Sequence, residues 1–380
     1  MSDTLRTTLP AVYGPLLAPH FDQPAMNETR ATCDNCQMCD QGTLPPEASA
    51  MFFQPDTKCC TFHPSLPNYL VGAILRDERP EMAEGRARVQ KQIASRIGIT
   101  PGYVAPSRKF LLLYDASAKM AFGRSKALLC PYFDERGLCT IWQHRESVCS
   151  TFFCKHVFGL AGVGFWKAMK HYLDHAQQTL AHWAGKSVAP QVNEPEYVRG
   201  MITRYELEDR PPEEAQYKKL WDTWVGREEE FYMQCYDRVR GMGRERYERM
   251  IDQTPTGREL MTKLMSAYAE LKPAKVPERV ALNPNIRKLP IAKGVIMTSP
   301  DNPYDSFAID GDLHEVLRRF SHEATVAATR KQLSDEEGIE LDDTLLSQMV
   351  LYGFLVPPAG EETRLRKKKE KERRAKDGNR

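Results

Sequence analysis

The chain has 380 residues, 41% of them hydrophobic, which is enough for two or three folded units. It contains no apolar run of about 18 residues, and residues 1–30 lack the basic-then-apolar order of a signal peptide, so a cytoplasmic protein without a membrane span is expected. The formal charge of +2 conceals a division, because Arg364 to Arg380 hold ten basic and three acidic residues against 43 and 48 elsewhere. Such a body is not generally attractive to nucleic acid, and the tail has too few apolar residues to fold alone.

In chain order, residues 1–30 are rich in proline and small residues and read as an arm laid on the surface. After the first cysteines, "VGAILRDE" is a short apolar run, and "EMAEGRARVQKQIASRIG" reads as an exposed helix ending at Gly98. The stretch "RKFLLLYD", Arg108 to Asp115, has the length and apolar density of a strand, with "MAFG" as its hairpin partner. From Gly164 to Ala184 apolar residues recur at helical spacing over five turns. His171 and His175 stand four apart there, but without the intervening glutamate of a zinc-binding helix they read as surface or partly buried histidines.

Residues 185–212 read as a linker with room for one helix, and residues 213–271 as further helical runs whose aromatic residues are core. Cys235 lies on that apolar face as a small buried hydrophobe. Residues 272–303 are proline-rich and read as an extended, largely strandless connector. Beyond them come a short strand, a helix capped near Asp310 or Asp312, a helix from Thr325 to Leu333, a third capped by Asp342 or Asp343, and a turn at Gly353 into "FLV".

This pattern resembles winged-helix modules of the PqqD-like kind, which bind peptides. The acidic to neutral third helix argues against sequence-specific DNA recognition. The expected architecture is α+β: an arm (1–30), a cysteine-rich metal-binding domain with short hairpins (31–160), a helical middle region (161–271), a connector (272–303), a small winged-helix-like domain (304–358) and a disordered basic tail (359–380).

The chemistry lies in the cysteines, nine of the ten falling between Cys33 and Cys154. In a reducing compartment they are metal ligands or redox thiols rather than a disulfide framework. Cys33, Cys36 and Cys39 form a Cys-x2-Cys-x2-Cys run, Cys59 and Cys60 are adjacent, and Cys130, Cys139, Cys149 and Cys154 form the third group. All nine are candidate metal ligands. The adjacent pair cannot aim both sulfurs at one metal without strain, so Cys59 and Cys60 serve different sites or one is buried. The turn "DERG" sets Cys130 and Cys139 facing one another across a hairpin.

The run "CPYFDERGLCTIWQHRESVCSTFFC" resembles the YkgJ-type cysteine-cluster family, described as a zinc- or iron-chelating domain, over roughly residues 30–160. In that family an upstream group of close cysteines supplies the remaining ligands, a role "CDNCQMC" and "KCC" would fill here. Two departures are visible: the family's Arg-Pro is Arg145-Glu146, and the upstream group is split by some twenty residues.

An all-thiolate set suits zinc or an iron-sulfur cluster, and the first run with a remote fourth thiol slightly favours a four-iron cluster. His63 and His156 are alternative ligands, but with thiols in surplus each reads as a neighbour donating to sulfur or as a surface residue. Arg145 beside thiolates would offset their charge. No Walker loop, Gly-x-Gly-x-x-Gly or Gly-x-Ser-x-Gly is present. The chemistry expected is metal binding, in a protein that modifies proteins or peptides or in a chelating scaffold or sensor without catalysis.

Overall fold

The computed structural model describes residues 3–30, 33–36, 38–39, 48, 51–192, 202–302, 304 and 306–360, apart from the side chains of Thr29, Arg30 and Lys119. Helix and small antiparallel sheets are mixed, an α+β composition dominated by helix. The chain divides into two compact units. Residues 1–42, 52–153 and 165–268 make the first; residues 43–51, 154–164 and 269–380 make the second.

In the first unit the segment expected to be a surface arm is core instead. Helix α1 (Leu5–Thr8), capped by Thr4, begins a run in which Leu5, Leu9, Tyr13, Leu16, Leu17 and Phe21 are all buried. These six are too irregularly spaced to show a period, yet between prolines and 3-10 turns they are all buried.

A two-residue strand β1 (Leu66–Pro67) leads into helix α2 (Asn68–Arg76), whose residues from Asn68 to Leu75 are all buried. A helix apolar on every side needs cover on every side. Asn68 is tolerated at its start because every polar atom is used: its amide donates to the carbonyls of Pro101 (2.9 Å) and Ala181 (2.8 Å), and its oxygen accepts from Tyr69 N (2.7 Å).

Helix α3 (Ala83–Ser95) ends on Arg96 in the left-handed region, and strand β2 (Tyr103–Val104) pairs antiparallel with β1. The stretch expected to be a strand, Arg108 to Asp115, is the start of helix α4 (Arg108–Ala121). Ser107 caps it by accepting from Phe110 N at 3.2 Å, and Leu111, Leu112 and Leu113 are exposed rather than paired in a sheet. A run of leucines carries no period, so the N-cap decided what apolar density could not.

The short α5 (Ser147–Thr151) precedes α6 (Gly159–Val188), which extends the expected helix at both ends. Then follow α7 (Arg204–Leu207), α8 (Glu214–Trp221), α9 (Glu228–Arg240), α10 (Arg244–Met250) and α11 (Pro255–Ala269). The unit's core is rich in tyrosine, and each ring's polar end finds a partner: Tyr13 hydroxyl meets Tyr69 hydroxyl at 2.6 Å, Tyr172 donates to Asp252 at 2.7 Å, and Tyr232 to Thr100 O at 2.7 Å. The boundary expected near residue 160 is therefore not a domain boundary, because helices of the 161–271 region cover α2 and complete the same core.

The surface around α2 supplies a pH-dependent contact. Asp77, capping α2, accepts from Arg79 (2.6 Å) and from His144 Nε2 (2.7 Å). Arg79 first, and His144 after it, hold the Asp77 carboxyl below its usual range. Burial pulls His144 down against the pull of Asp77, so near neutrality the ring is uncharged. A depressed carboxylate gives stability that is full above the ordinary carboxylate range and is lost as pH falls. Melting temperature should therefore drop less steeply in Asp77→Asn than in wild type between about pH 5 and pH 2; parallel curves would exclude this contribution.

The second unit replaces the strandless connector with sheet. Strands β3 (Ala281–Leu282), β4 (Arg287–Ile291) and β5 (Gly294–Thr298) lie within it, and β6 (Ser306–Asp310) completes an antiparallel sheet of order β4-β5-β6. Pro290 sits in β4, an edge strand, where a missing N–H is tolerated. The turn Ala292–Lys293 joins β4 to β5 with Ile291 opposite Gly294, and a Cβ at Gly294 would lie 2.0 Å from Ile309 O.

Helices α12 (Gly311–Arg318), α13 (Val326–Glu337) and α14 (Asp343–Leu351) are capped by Asp310, Thr325 and Asp342, the first of each aspartate pair that the sequence offered and the residue at which the middle helix is expected to start. Strand β7 (Leu355–Val356) pairs antiparallel with β3. Met297, Leu317, Phe320, Leu333, Leu346, Phe354 and Leu355 form the core. The basic tail from Arg364 onward lies outside the described residues. Among the described residues, no helix is long and apolar enough to cross a membrane.

Candidate functional site

Eight of the nine candidate cysteines fall in the first unit, and loops rather than regular elements carry most of them. Cys33, Cys36 and Cys39 sit on a tight turn in which Cys39 N donates to Cys36 O (3.1 Å) and Phe53 N to Met38 O (2.7 Å). Cys59 and Cys60 end a turn tied to the second residue after α4: Thr57 Oγ1 donates to Gly123 O (2.7 Å), and Gly123 N donates to Thr61 Oγ1 (2.6 Å). Lys58 within that turn takes the left-handed conformation, φ 49°, a strained choice for a residue with a side chain.

The third group is a hairpin, but in a register other than the one expected. Thr140 N donates to Tyr132 O (2.9 Å) and Asp134 N donates to Leu138 O (2.9 Å), so Cys139 lies opposite Phe133 rather than Cys130. Cys130 N instead donates to Cys60 O at 2.8 Å. Cys149 rides on α5, whose N-cap Glu146 accepts from Val148 N (2.7 Å) and Cys149 N (2.8 Å). Cys154 belongs to the second unit.

The thiols form a neighbourhood rather than a finished cage. No cysteine is disulfide-bonded, and among the described residues no three Cys, His, Asp or Glu side chains are arranged to hold one metal ion. Cys36 and Cys39 share a side-chain hydrogen bond, as do Cys59 and Cys60; in each pair the contact favours ionising the first sulfur and opposes ionising the second. Burial, then the thiols of Cys59, Cys139 and Cys36, push Cys33 up to about 11. Burial is also the leading cause at Cys130, Cys139 and Cys149, all raised.

Two cations stand among these sulfurs without a carboxylate partner among the described residues. Lys58, buried, donates to Cys33 O and to Gly137 O (2.8 Å), and its charge eases ionisation of Cys33, Cys36 and Cys39. Arg145 lies 3.4 Å over the Trp142 ring and donates to Trp142 O (3.0 Å) and Cys149 O (3.2 Å). Burial lowers its pKa, opposed by Cys139, Cys149, Cys33 and Cys59. Lys58 and the helix-capping Glu146 were not among the residues singled out from sequence; the run "KCC" was the available signal for the first.

The two histidines weighed as ligands are placed elsewhere. His63 packs between Phe110 and Tyr132 beside Gln92, and burial pulls it down to about 4. His156 is in the second unit, 3.4 Å from the Asn302 amide. His171 is exposed and His175 half-buried. Cys235 is fully buried in α9. A cleft of about 930 Å³ is walled by Glu146, Ser147 and Val148 together with Tyr103, Leu111 and Tyr205.

A protein of mixed helix and sheet with a thiol-rich loop cluster is as far as the fold defines a class. Comparison with protein-family models, with curated proteins and with solved structures finds no match to this chain.

Proposed function

We propose that the first unit is a metal-thiolate protein binding zinc or an iron-sulfur cluster through Cys33, Cys36, Cys39, Cys59, Cys60, Cys130, Cys139 and Cys149. The observation that carries the reading is the pair of cations, Lys58 and Arg145, that stand among eight clustered thiols with no carboxylate partner among the described residues. A buried cation is costly without an opposite charge, and neutral thiols supply none. Metal-bound thiolates would, since a metal displaces the thiol protons that burial otherwise retains.

The donor set fits both metals chemically, being all sulfur. When bound, the group would cross-link three loops that share few regular hydrogen bonds. Cys154, in the second unit, stays a ninth candidate from sequence alone. The order of cysteines and the resemblance to YkgJ-type domains support the same reading, and the second unit's three helices and β3–β7 pair support a winged-helix-like module.

Action on a protein or peptide is the wider reading, supported by the cleft beside α5 and by the exposed Leu111, Leu112, Leu113, Tyr205 and Leu207 near it. A chelating scaffold without catalysis needs only the thiols.

Anaerobic purification with metal analysis and an absorption spectrum tests the binding. A broad band near roughly 400 nm marks a four-iron cluster, a colourless protein holding zinc marks the other metal, and a metal-free chain refutes the proposal. Arg145→Leu should weaken metal affinity roughly 10- to 100-fold in chelator competition, with Arg145→Lys recovering part of it; unchanged affinity in Arg145→Leu would remove the charge argument.

A further inference from the structure

We infer that the first unit pairs with a second copy of itself through the outer face of α4, along a stripe of Leu112, Leu113, Ala116 and Met120. The inference goes beyond metal binding and does not depend on it.

Seven large hydrophobic side chains are exposed among the described residues: Leu111, Leu112, Leu113 and Met120 on α4, Tyr205 and Leu207 on α7, and Val157 elsewhere. Single exposed apolar residues are ordinary, but six on two helices that pack together form a patch of the kind that marks an interaction site. Leu111 and Tyr205 wall the cleft, whereas Leu112, Leu113, Ala116 and Met120 do not. The stripe is therefore a feature of its own.

The inner face of α4 is already occupied. Phe110 and Tyr114, one turn apart, stack with ring centres 6.0 Å apart and pack on His63 and Phe62. A helix that packs by one face is polar on the other when it faces water. Here the other face is aliphatic, and Met120 on it is 79% exposed.

Charge and residue order both select a second copy. The cations at the start of α4 are matched from beside it, Arg108 lying 3.7 Å from Glu206 and Lys109 3.3 Å from Asp209, and Arg210 lies 2.7 Å from Glu208. A face neutralised from within gives no hold to a polyanion or a strongly charged peptide, and two copies approach through it without repulsion. Leu112, Ala116 and Met120 stand four residues apart on one ridge of the helix, in the order large, small, large. Laid antiparallel on its own copy about a two-fold axis at Ala116, the ridge sets each Leu112 against the other copy's Met120 and the two small side chains against each other. That is the self-complementarity an isologous interface requires. A stripe on one helix about 21 Å long buries less than the roughly 800 Å² per copy of a standard interface, so the dimer is of the weak class, with Kd in the micromolar range.

Sedimentation velocity of the anaerobically purified full chain under reducing conditions, from about 1 to 500 µM, tests this. The weight-average mass should climb from 43.4 kDa toward twice that value. Ala116→Glu and Ala116→Lys each place like charges across the axis and should raise Kd roughly 100-fold, while an equimolar mixture of the two should associate again. Ala327→Glu, at an exposed position on α13, should associate as wild type does. Wild type at 43.4 kDa throughout overturns the inference and gives the face to a different protein. A dimer that Ala116→Glu leaves intact overturns its placement on α4, and loss in both variants without recovery on mixing overturns the two-fold arrangement. Should the Ala116 variants fail to fold by circular dichroism, Met120→Glu takes their place, and an undiminished dimer there overturns the placement equally.

Discussion

On the metal-thiolate reading, Cys139→Ser is expected to lower the metal content and to reduce the melting temperature of the first unit by roughly 10 °C or more. The size follows from where the residue sits. Cys139 closes a hairpin held by few bonds, Asp134 N to Leu138 O and Thr140 N to Tyr132 O among them, and the hairpin reaches the Cys59–Cys60 turn through one backbone bond from Cys130. Loops of this kind have little sheet or helix of their own, so a metal cross-link supplies much of their order.

Cys235→Ser is the matched control. It places a hydroxyl in an apolar site on α9, at a cost of about 1–3 kcal/mol, and should leave metal content unchanged. Calorimetry and metal analysis on both variants check the pair; equal metal loss in the two would mean that the loss reflects unfolding rather than ligation.

Gly72→Val is expected to be the most destabilising change away from the thiols. A Cβ at this position on α2 would stand 2.0 Å from the carbonyl oxygen of Tyr232 and 2.7 Å from Tyr236 Cβ on α9, and a backbone carbonyl cannot swing aside as a side chain would. Overpacking typically costs about 1–3 kcal/mol, and a clash that parts two central helices belongs at or above the upper end. Denaturant unfolding should show the loss in the first unit, whereas Gly164→Val, with nothing within 4 Å of its Cβ, should cost far less. Similar losses at both positions would show that helix propensity, not the α2–α9 crossing, is what glycine supplies.

Local signals read best where a side chain addresses its own backbone. Asp310, Thr325 and Asp342 marked the starts of α12, α13 and α14 because an N-cap acts within three residues. The periodic apolar residues of α6 marked a helix for the same reason, a repeat carried by the chain itself. The leucines of α4 were misread as a strand because an aperiodic apolar run suits either element, and the strands of residues 281–298 were missed because prolines at an edge and at turns resemble those of a connector.

By itself the sequence singled out the cysteines on which the metal-binding proposal rests, through their Cys-x2-Cys-x2-Cys and Cys-Cys spacing in polar surroundings. It also determined the α+β composition. Only the tertiary structure decided that Cys33 to Cys39 lie near Cys59, Cys60, Cys130, Cys139 and Cys149, that Leu5, Leu9, Tyr13, Leu16, Leu17 and Phe21 are core, and that Lys58 and Arg145 stand among the sulfurs. Those facts depend on contacts between residues tens of positions apart, set by packing around α2 and by single hydrogen bonds such as Cys130 N to Cys60 O, and no local pattern encodes them.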